Sequence, residues 1–395
     1  MSSKANMVMA NLLHTVGRKK FGITMRFFFH RNQSTLRKRL DQPPSAFRLL
    51  LPILLVIIAT PLCAMAAQEE KIATELSWRP MIPLPDKDGF ALPFAGLVNG
   101  YPLIAGGANF PNEPLWKGGA KSWSREIFLY DPSEQAWENV GLLPIPLAYG
   151  SSFQLNDALI LVGGQSDGVA TSAVLRIQME SGRIEIDDPF PPLPEPRLMA
   201  GGIRFGEYFY LIGGCTTEES GGTDDLLRLP LNETNPSWER LDPIPGGRRF
   251  LPTVATYNDQ MMVIGGVRTT EDGATTYLKD AYTYNTSKGW TRLPDLIFPS
   301  AAAASPAPVL RDGSVILVGG TDGTLAGVDP STYPKVPRRL QILLPDRSDW
   351  QIGKDAPIAR VGVSTIRWNE GWIFPTGESS PGVRSPEVWF LKIKP

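Results

Sequence analysis

From residue 94 onward, short apolar runs alternate with turns rich in Gly, Asp and Asn. One stretch shows the unit clearly. Gly201-Gly-Ile-Arg-Phe205 is followed by a Gly206-Glu207 turn and by Tyr208-Phe-Tyr-Leu-Ile212, with Leu226-Leu-Arg-Leu229 and Trp238-Glu-Arg-Leu241 further on. β-Branched and aromatic residues between turn formers predict strands, and no segment of this region sustains a helical period. Six times the second run of a unit ends in Gly-Gly or a near equivalent, at Gly106, Gly163, Gly213, Gly265, Gly319 and Thr376-Gly377, with spacings of 57, 50, 52, 54 and 57 residues. A period near 50 is that of kelch-type propeller blades, each a four-stranded antiparallel sheet. The chain is therefore expected to be all-β, with a six-bladed propeller over residues 67–395. Loops from second to third strand, and from one blade to the next, should share a face around the central channel.

The ends of the pattern predict how the ring closes. Val388-Trp-Phe-Leu-Lys-Ile393 reads as the third strand of the last blade. The missing outermost strand is available at Thr74-Glu-Leu-Ser-Trp-Arg-Pro80, which would leave no open edge. Blade 1 then starts near Phe94. Trp137, Trp238, Trp290 and Trp350 fall on outermost strands and are expected to fill the wedges between blades. Blade 2 has Ile184-Glu-Ile186 at that place. The Gly pairs are expected where backbones of adjacent blades approach closely.

Residues 1–66 follow another pattern. They hold ten Lys and Arg against one acid, Asp41, then the apolar run Leu49–Leu62 and Ala64-Met65-Ala66. Basic region, short apolar core and A-x-A site predict a secretory signal, and hence an exported, periplasmic or secreted protein with no stable membrane association after cleavage. The core is short for a membrane span, and Pro52 and Pro61 interrupt it. Met25 offers an alternative start.

Removing this leader changes the available chemistry. The whole chain carries 39 basic and 40 acidic residues; residues 67–395 carry 29 and 39, a net charge of −10. That balance argues against nucleic-acid binding. Both histidines, His14 and His30, lie in the leader, so residues 67–395 contain no histidine and one cysteine, Cys215. Imidazole triads, His-ligated metal and internal disulfides are excluded there, and no metal or other cofactor is expected. Cys215 follows a Gly pair and reads as a small filler at a strand end. Proton transfer falls to Asp, Glu, Lys, Tyr or Arg.

One loop places such residues together. In Gly377-Glu-Ser-Ser-Pro-Gly-Val-Arg-Ser385, Glu378 directly follows a second strand and Arg384 directly precedes a third. Pro381-Gly382 suits the centre of a type II turn, which would bring Glu378 beside Arg384. The pair could serve acid/base chemistry on an anionic substrate, with Arg holding a carboxylate, or could be a salt bridge steadying a turn. On the same rim fall Tyr149, Arg197, Arg248, Arg249 and Arg360 from interblade loops, and Asn109, Asp167 and Asp322 from loops between second and third strands. The arginines could form a positive funnel for an anionic sugar or pair with neighbouring acids and carbonyls. Asn109 and Tyr149 are open to ligand contact or structural hydrogen bonding.

The 377–385 segment closely resembles the active-site segment of the sialic acid mutarotases, or N-acetylneuraminate epimerases, a family of six-bladed kelch-type propellers. Other stretches resemble its cyclically permuted branch: Ala105-Gly-Gly-Ala-Asn-Phe-Pro111, Trp116-Lys-Gly-Gly119, Pro146-Leu-Ala-Tyr-Gly150, Ser305-Pro-Ala-Pro308 and Pro381–Trp389. The resemblance implies an isomerase interconverting the α and β anomers of N-acetylneuraminate, with Glu378 as proton acceptor, Arg384 as essential arginine and a small acidic sugar as partner. Asn109, Tyr149, Arg197, Arg248 and Arg360 are the substrate-binding candidates. A kelch propeller that binds a glycan or protein without turnover is the alternative.

Overall fold

The computed structural model describes residues 76–332 and 336–393. The leader, its A-x-A site, Met25 and both histidines lie outside the described residues. Within them the chain forms six antiparallel blades. Blades 1 to 4 are four-stranded and in sequence order from inside to outside. Their strands are Phe94–Val98, Tyr101–Ala105, Glu126–Asp131 and Ala136–Leu142; Ser151–Leu155, Ala158–Val162, Val174–Glu180 and Arg183–Asp187; Gly201–Phe205, Tyr208–Ile212, Leu226–Pro230 and Glu239–Leu241; and Thr253–Tyr257, Gln260–Ile264, Ala281–Asn285 and Gly289–Arg292.

Blade 5 has three regular strands, Val315–Leu317, Leu340–Leu343 and Trp350–Gly353. Its innermost segment contains Pro306 and Pro308, which cannot donate to a ladder. The segment still lies in place. Ala304 N–H donates to Val318 O, Ile316 N–H to Pro308 O, and Leu310 N–H to Ser314 O, at 2.8–3.0 Å.

Blade 6 is closed from the front of the chain, as the sequence predicts. Its order from inside to outside is Ile366–Trp368, Gly371–Pro375, Val388–Ile393 and Leu76–Met81. The last pair runs from Leu76 opposite Ile393 to Met81 opposite Val388. Two short 3₁₀ turns, Leu115–Lys117 and Pro330–Thr332, are the helical elements among the described residues. None of these described helices is long and apolar enough to cross a membrane.

Two contacts recur around the ring. At Gly106 the backbone is left-handed (φ 64°), and a Cβ would lie 2.1 Å from the carbonyl oxygen of Leu147, at the start of the next blade. Gly107 N–H donates to that same carbonyl at 2.9 Å. The corresponding bonds run from Gly164 to Arg197, Gly214 to Arg249, Gly266 to Ser300 and Gly320 to Arg360. At the sixth position Gly377 N–H donates to Phe90 O at 2.8 Å. There Thr376 (φ 45°) stands for the first glycine, and its hydroxyl accepts from Phe90 N at 2.6 Å and donates to Phe90 O at 2.8 Å. A hydrogen-bonding side chain thus offsets the cost of a left-handed non-glycine residue.

The second recurrent contact is the tryptophan staple. Trp137, Trp238, Trp290 and Trp350 donate their indole N–H to the carbonyls of Ile82, Pro191, Asp242 and Pro294, each on the preceding blade, at 3.0–3.2 Å. Burying a ring of this size removes roughly 150–250 Å² from water, about 4–6 kcal/mol of transfer free energy. In blade 2, Ile184 and Ile186 pack instead against a buried cluster that includes Leu143 and Leu147, between blades 1 and 2.

At the head of the channel the blades are also joined in a closed circle. The N–H of Tyr149 donates to Leu92 O, Met199 to Tyr149, Leu251 to Met199, Ala302 to Leu251, Gly362 to Ala302 and Leu92 to Gly362, all at 2.7–3.0 Å. All six residues have positive φ. Tyr149, Met199, Leu251 and Ala302 are buried in one apolar cluster, with Leu92 packed against it. Beyond this circle the channel is lined by first-strand residues including Gly96, Ser152, Gly202 and Thr365.

Candidate active site

Above the circle, second strands run on into short rim hairpins. In blade 1, Ala108–Asn109 pairs with Ser122–Trp123; in blade 6, Glu378–Ser380 pairs with Val383–Arg384. Each rim segment is tied to its own blade's lead-in by a bridge, Ala91 to Ala108 in blade 1 and Val361 to Glu378 in blade 6. The second-to-third strand loops and the interblade loops therefore share one face, as the propeller pattern predicts.

The blade 6 hairpin sets Glu378 directly opposite Arg384. Gly382 takes the positive φ (74°) that the turn demands, and its N–H donates to Glu378 Oε1 at 3.2 Å. Glu378 Oε2 lies 3.0 Å from Arg384 Nη1, and both side chains are nearly closed to solvent (10% and 2% exposed). This is a buried ion pair, not an exposed turn salt bridge. Its geometry is also incomplete: neither Oε2 nor Nη1 makes a hydrogen bond within the protein. Charge is compensated while hydrogen-bonding capacity stays open, which costs stability and suits a site that receives a polar ligand.

Arg384 joins the two most distinctive sequence stretches. Its Nε donates to Ala108 O at 3.2 Å, and its guanidinium lies 4.8 Å from the centroid of Phe110. A cation over that ring is held by the ring quadrupole. The hairpin tip sits against Leu115 and Trp116, whose atoms approach the Cβ position of Gly382 to 3.2–3.3 Å. Asn109 is buried in the adjoining hairpin.

Tyr149 is fully buried in the backbone circle, and its hydroxyl makes no hydrogen bond within the protein. Lys121 lies over it, with Nζ 5.1 Å from the ring centroid and 5.4 Å from that of Trp123, and 3.0 Å from Glu218 Oε1. Burial presses the Lys121 ammonium toward deprotonation, but Tyr149 and Glu218 outweigh it and raise its pKa, against an opposing push from Arg384. The ammonium therefore stays charged at neutral pH.

The remaining candidates are placed differently. Arg249 is fully buried and grips Asp280 with two bonds of 2.9 and 3.0 Å, plus Gly265 O at 3.1 Å. Arg197 bonds Asp225 at 2.9 Å. Arg360 bonds Glu387 at 2.6 Å and Ser385 Oγ at 2.7 Å. Each of these acids immediately precedes a third strand, so the three pairs repeat one architectural staple. Arg360 in addition fixes the foot of the Glu378 hairpin through Ser385. Arg248 is exposed, and Asp167 sits exposed in a turn. Asp322 is paired with Arg339. Cys215 is buried, and burial pushes its thiol up to about 12, consistent with a filler and not with a nucleophile.

Lys121, Trp123, Gln165 and Glu218 were not singled out by sequence reasoning. They lie in loops of unremarkable composition, and their convergence depends on how blades 1, 2 and 3 are set side by side.

Comparison with known proteins gives these residues a context. Residues 59–186 match the family model described as N-acetylneuraminate epimerase. A protein of Yersinia enterocolitica named N-acetylneuraminate epimerase is 39% identical over 132 residues, covering 29% of this chain and 33% of that protein. One of Haemophilus influenzae with the same name is 32% identical over 130 residues, covering 29% and 34%. The match spans about a third of the length of these relatives. The solved structure of YjhT superposes with a TM-score of 0.59 at 13% identity, covering 79% of this chain and 97% of that one, and supports the fold. The resemblance to N-acetylneuraminate epimerases is thus present over the matched stretch, which contains Asn109, Lys121 and Tyr149. Glu378, Arg384, Arg197, Arg248 and Arg360 lie beyond it.

Proposed function

We propose that this chain is an exported mutarotase that interconverts the α and β anomers of N-acetylneuraminate. The observation that carries this reading is the buried Glu378–Arg384 pair, whose facing atoms Oε2 and Nη1 have unused hydrogen-bonding capacity. The relatives' name supplies the substrate class, and the basic, apolar, small-residue order of residues 1–66 supports export.

The chemistry follows from the pair. Arg384 can donate to the substrate carboxylate, which sets the anomeric carbon near Glu378. The Glu378 carboxylate takes the proton of the anomeric hydroxyl. That C–O bond becomes a carbonyl, the bond from the anomeric carbon to the ring oxygen breaks, and its electron pair goes to the ring oxygen, which is protonated. Rotation presents the other carbonyl face; attack by the hydroxyl re-forms the ring, and a proton returns to the new anomeric oxygen. No electrons are exchanged with a partner. Lys121, held cationic, is paired with Glu218 and forms a fixed polar wall near Arg384.

The test is the rate of anomer exchange. Freshly released α-N-acetylneuraminate is followed by NMR or polarimetry with residues 67–395 and with the Glu378→Gln variant. Acceleration by the native protein and its loss in the variant are expected. Binding of the sugar without acceleration would replace this reading with a glycan-binding propeller.

A further inference from the structure

Beside the Glu378–Arg384 pair lies a cavity of about 380 Å³ between the rim loops of blades 1, 2 and 3, lined by Lys121, Trp123, Gln165, Pro196, Thr216 and Glu218 among others. It joins the pair through one backbone unit. Trp123 is paired with Ala108, and the Ala108 carbonyl accepts from Arg384 Nε. The charges of Lys121 and Arg384 are near enough to oppose each other.

The polar atoms in and next to this cavity form an unusual set. Trp123 Nε1, Tyr149 Oη and Gln165 Oε1 are all buried, and none makes a hydrogen bond within the protein. Gln165 itself is 2% exposed and Tyr149 fully buried. Leaving such groups unmatched destabilises the folded chain, so their retention around one space points to an occupant. Its chemistry can be read from the set. The indole N–H only donates, the amide oxygen only accepts, and the phenol does both. A carboxylate would leave the amide oxygen unmatched, and a hydrocarbon would match none of them. Hydroxyl groups, which donate and accept, match all three. Lys121 is already held by Glu218, with both side chains no more than 6% exposed, so this ion pair forms a fixed polar wall.

We propose that this cavity is a subsite for the hydroxylated side chain of the sugar whose anomeric centre is processed at Glu378 and Arg384. The inference rests on the mutarotase reading and extends it to substrate selection. The subsite discriminates by length and hydroxylation of the side chain, and Trp123 and Gln165 act as specificity-determining residues away from the bond changes.

The experiment compares two sugars and three proteins. The sugars are N-acetylneuraminate and an analogue that keeps the ring, carboxylate and anomeric hydroxyl but ends after the first side-chain carbinol. The proteins are the native chain, Trp123→Phe and Gln165→Leu. Each variant is expected to raise KM for the full sugar roughly five- to tenfold, the value of one hydrogen bond, and to leave kcat and both constants for the short analogue near native values. Equal changes for both sugars, or none, would overturn the subsite. If the native protein accelerates neither sugar, the mutarotase reading fails separately, and calorimetric binding of the same two sugars decides the subsite. Tighter binding of the full sugar, weakened by either variant, upholds it; indifference to side-chain length or absence of binding overturns it.

Discussion

Two arginine–carboxylate pairs in this molecule look alike in burial and differ in what they leave open. Arg249 and Asp280 meet with two bonds, and the guanidinium takes a carbonyl as well. Arg384 and Glu378 are equally withdrawn from solvent and 3.0 Å apart, yet their facing atoms form no hydrogen bond. In the first pair the partners satisfy each other, and the blade is stapled. In the second, burial intensifies the charges while leaving valences for a third party. Hydrogen-bond completeness separates the Arg249 pair from the Glu378 pair, and Arg197, bonded to Asp225 but with its buried Nε and Nη1 unmatched, stands between them.

The largest effect should come from Glu378→Gln, which keeps shape and removes the base. Anomer exchange should slow by about 10²- to 10⁴-fold, and because Arg384 is left buried beside a neutral amide, the thermal midpoint by calorimetry should fall as well. Arg249→Leu should lower stability alone. Stranding Asp280 should cost about 3–5 kcal/mol in denaturant unfolding, while exchange by the folded fraction stays near native. An undiminished exchange rate in the first variant, or an activity loss without instability in the second, would erase the distinction drawn between the pairs.

A middle case sharpens it. Thr376 precedes the Glu378 hairpin and clamps Phe90 through two hydrogen bonds. Thr376→Val should cost about 1–3 kcal/mol in stability, with a smaller activity loss than Glu378→Gln in the same exchange assay. The smallest effect is expected at Cys215. Its unfolded thiol ionises from about pH 9, but in the folded protein burial raises this to about 12. A thiol reagent at pH 8 should not label the native protein and should label it promptly in denaturant. Because the folded state favours the neutral thiol, its contribution is full below pH 9 and is lost as pH rises toward 12.

The fold was largely written in local pattern. Gly-Gly spacing predicts six blades because the interblade contact at each pair tolerates almost no side chain. The closing strand near Trp78 is legible because the last blade lacks an outermost strand. Of the site, the Glu378 and Arg384 juxtaposition could be read because both lie on one hairpin with a Pro-Gly turn. The rim arginines could not be sorted from sequence, since the acids that pair with Arg197, Arg249 and Arg360 stand 28, 31 and 27 residues further on, at the head of the same blade's third strand. Lys121 and Gln165 carry no local mark at all; they converge only once the ring is closed.

The circle of six backbone hydrogen bonds at the head of the channel has a kinetic meaning. A continuous loop of peptide groups whose Tyr149, Met199, Leu251 and Ala302 side chains are buried in one apolar cluster can serve as a floor to the rim. Under the proposed mutarotase reading, a sugar that enters between the hairpins would leave by the same route, and turnover would depend on how quickly the rim empties.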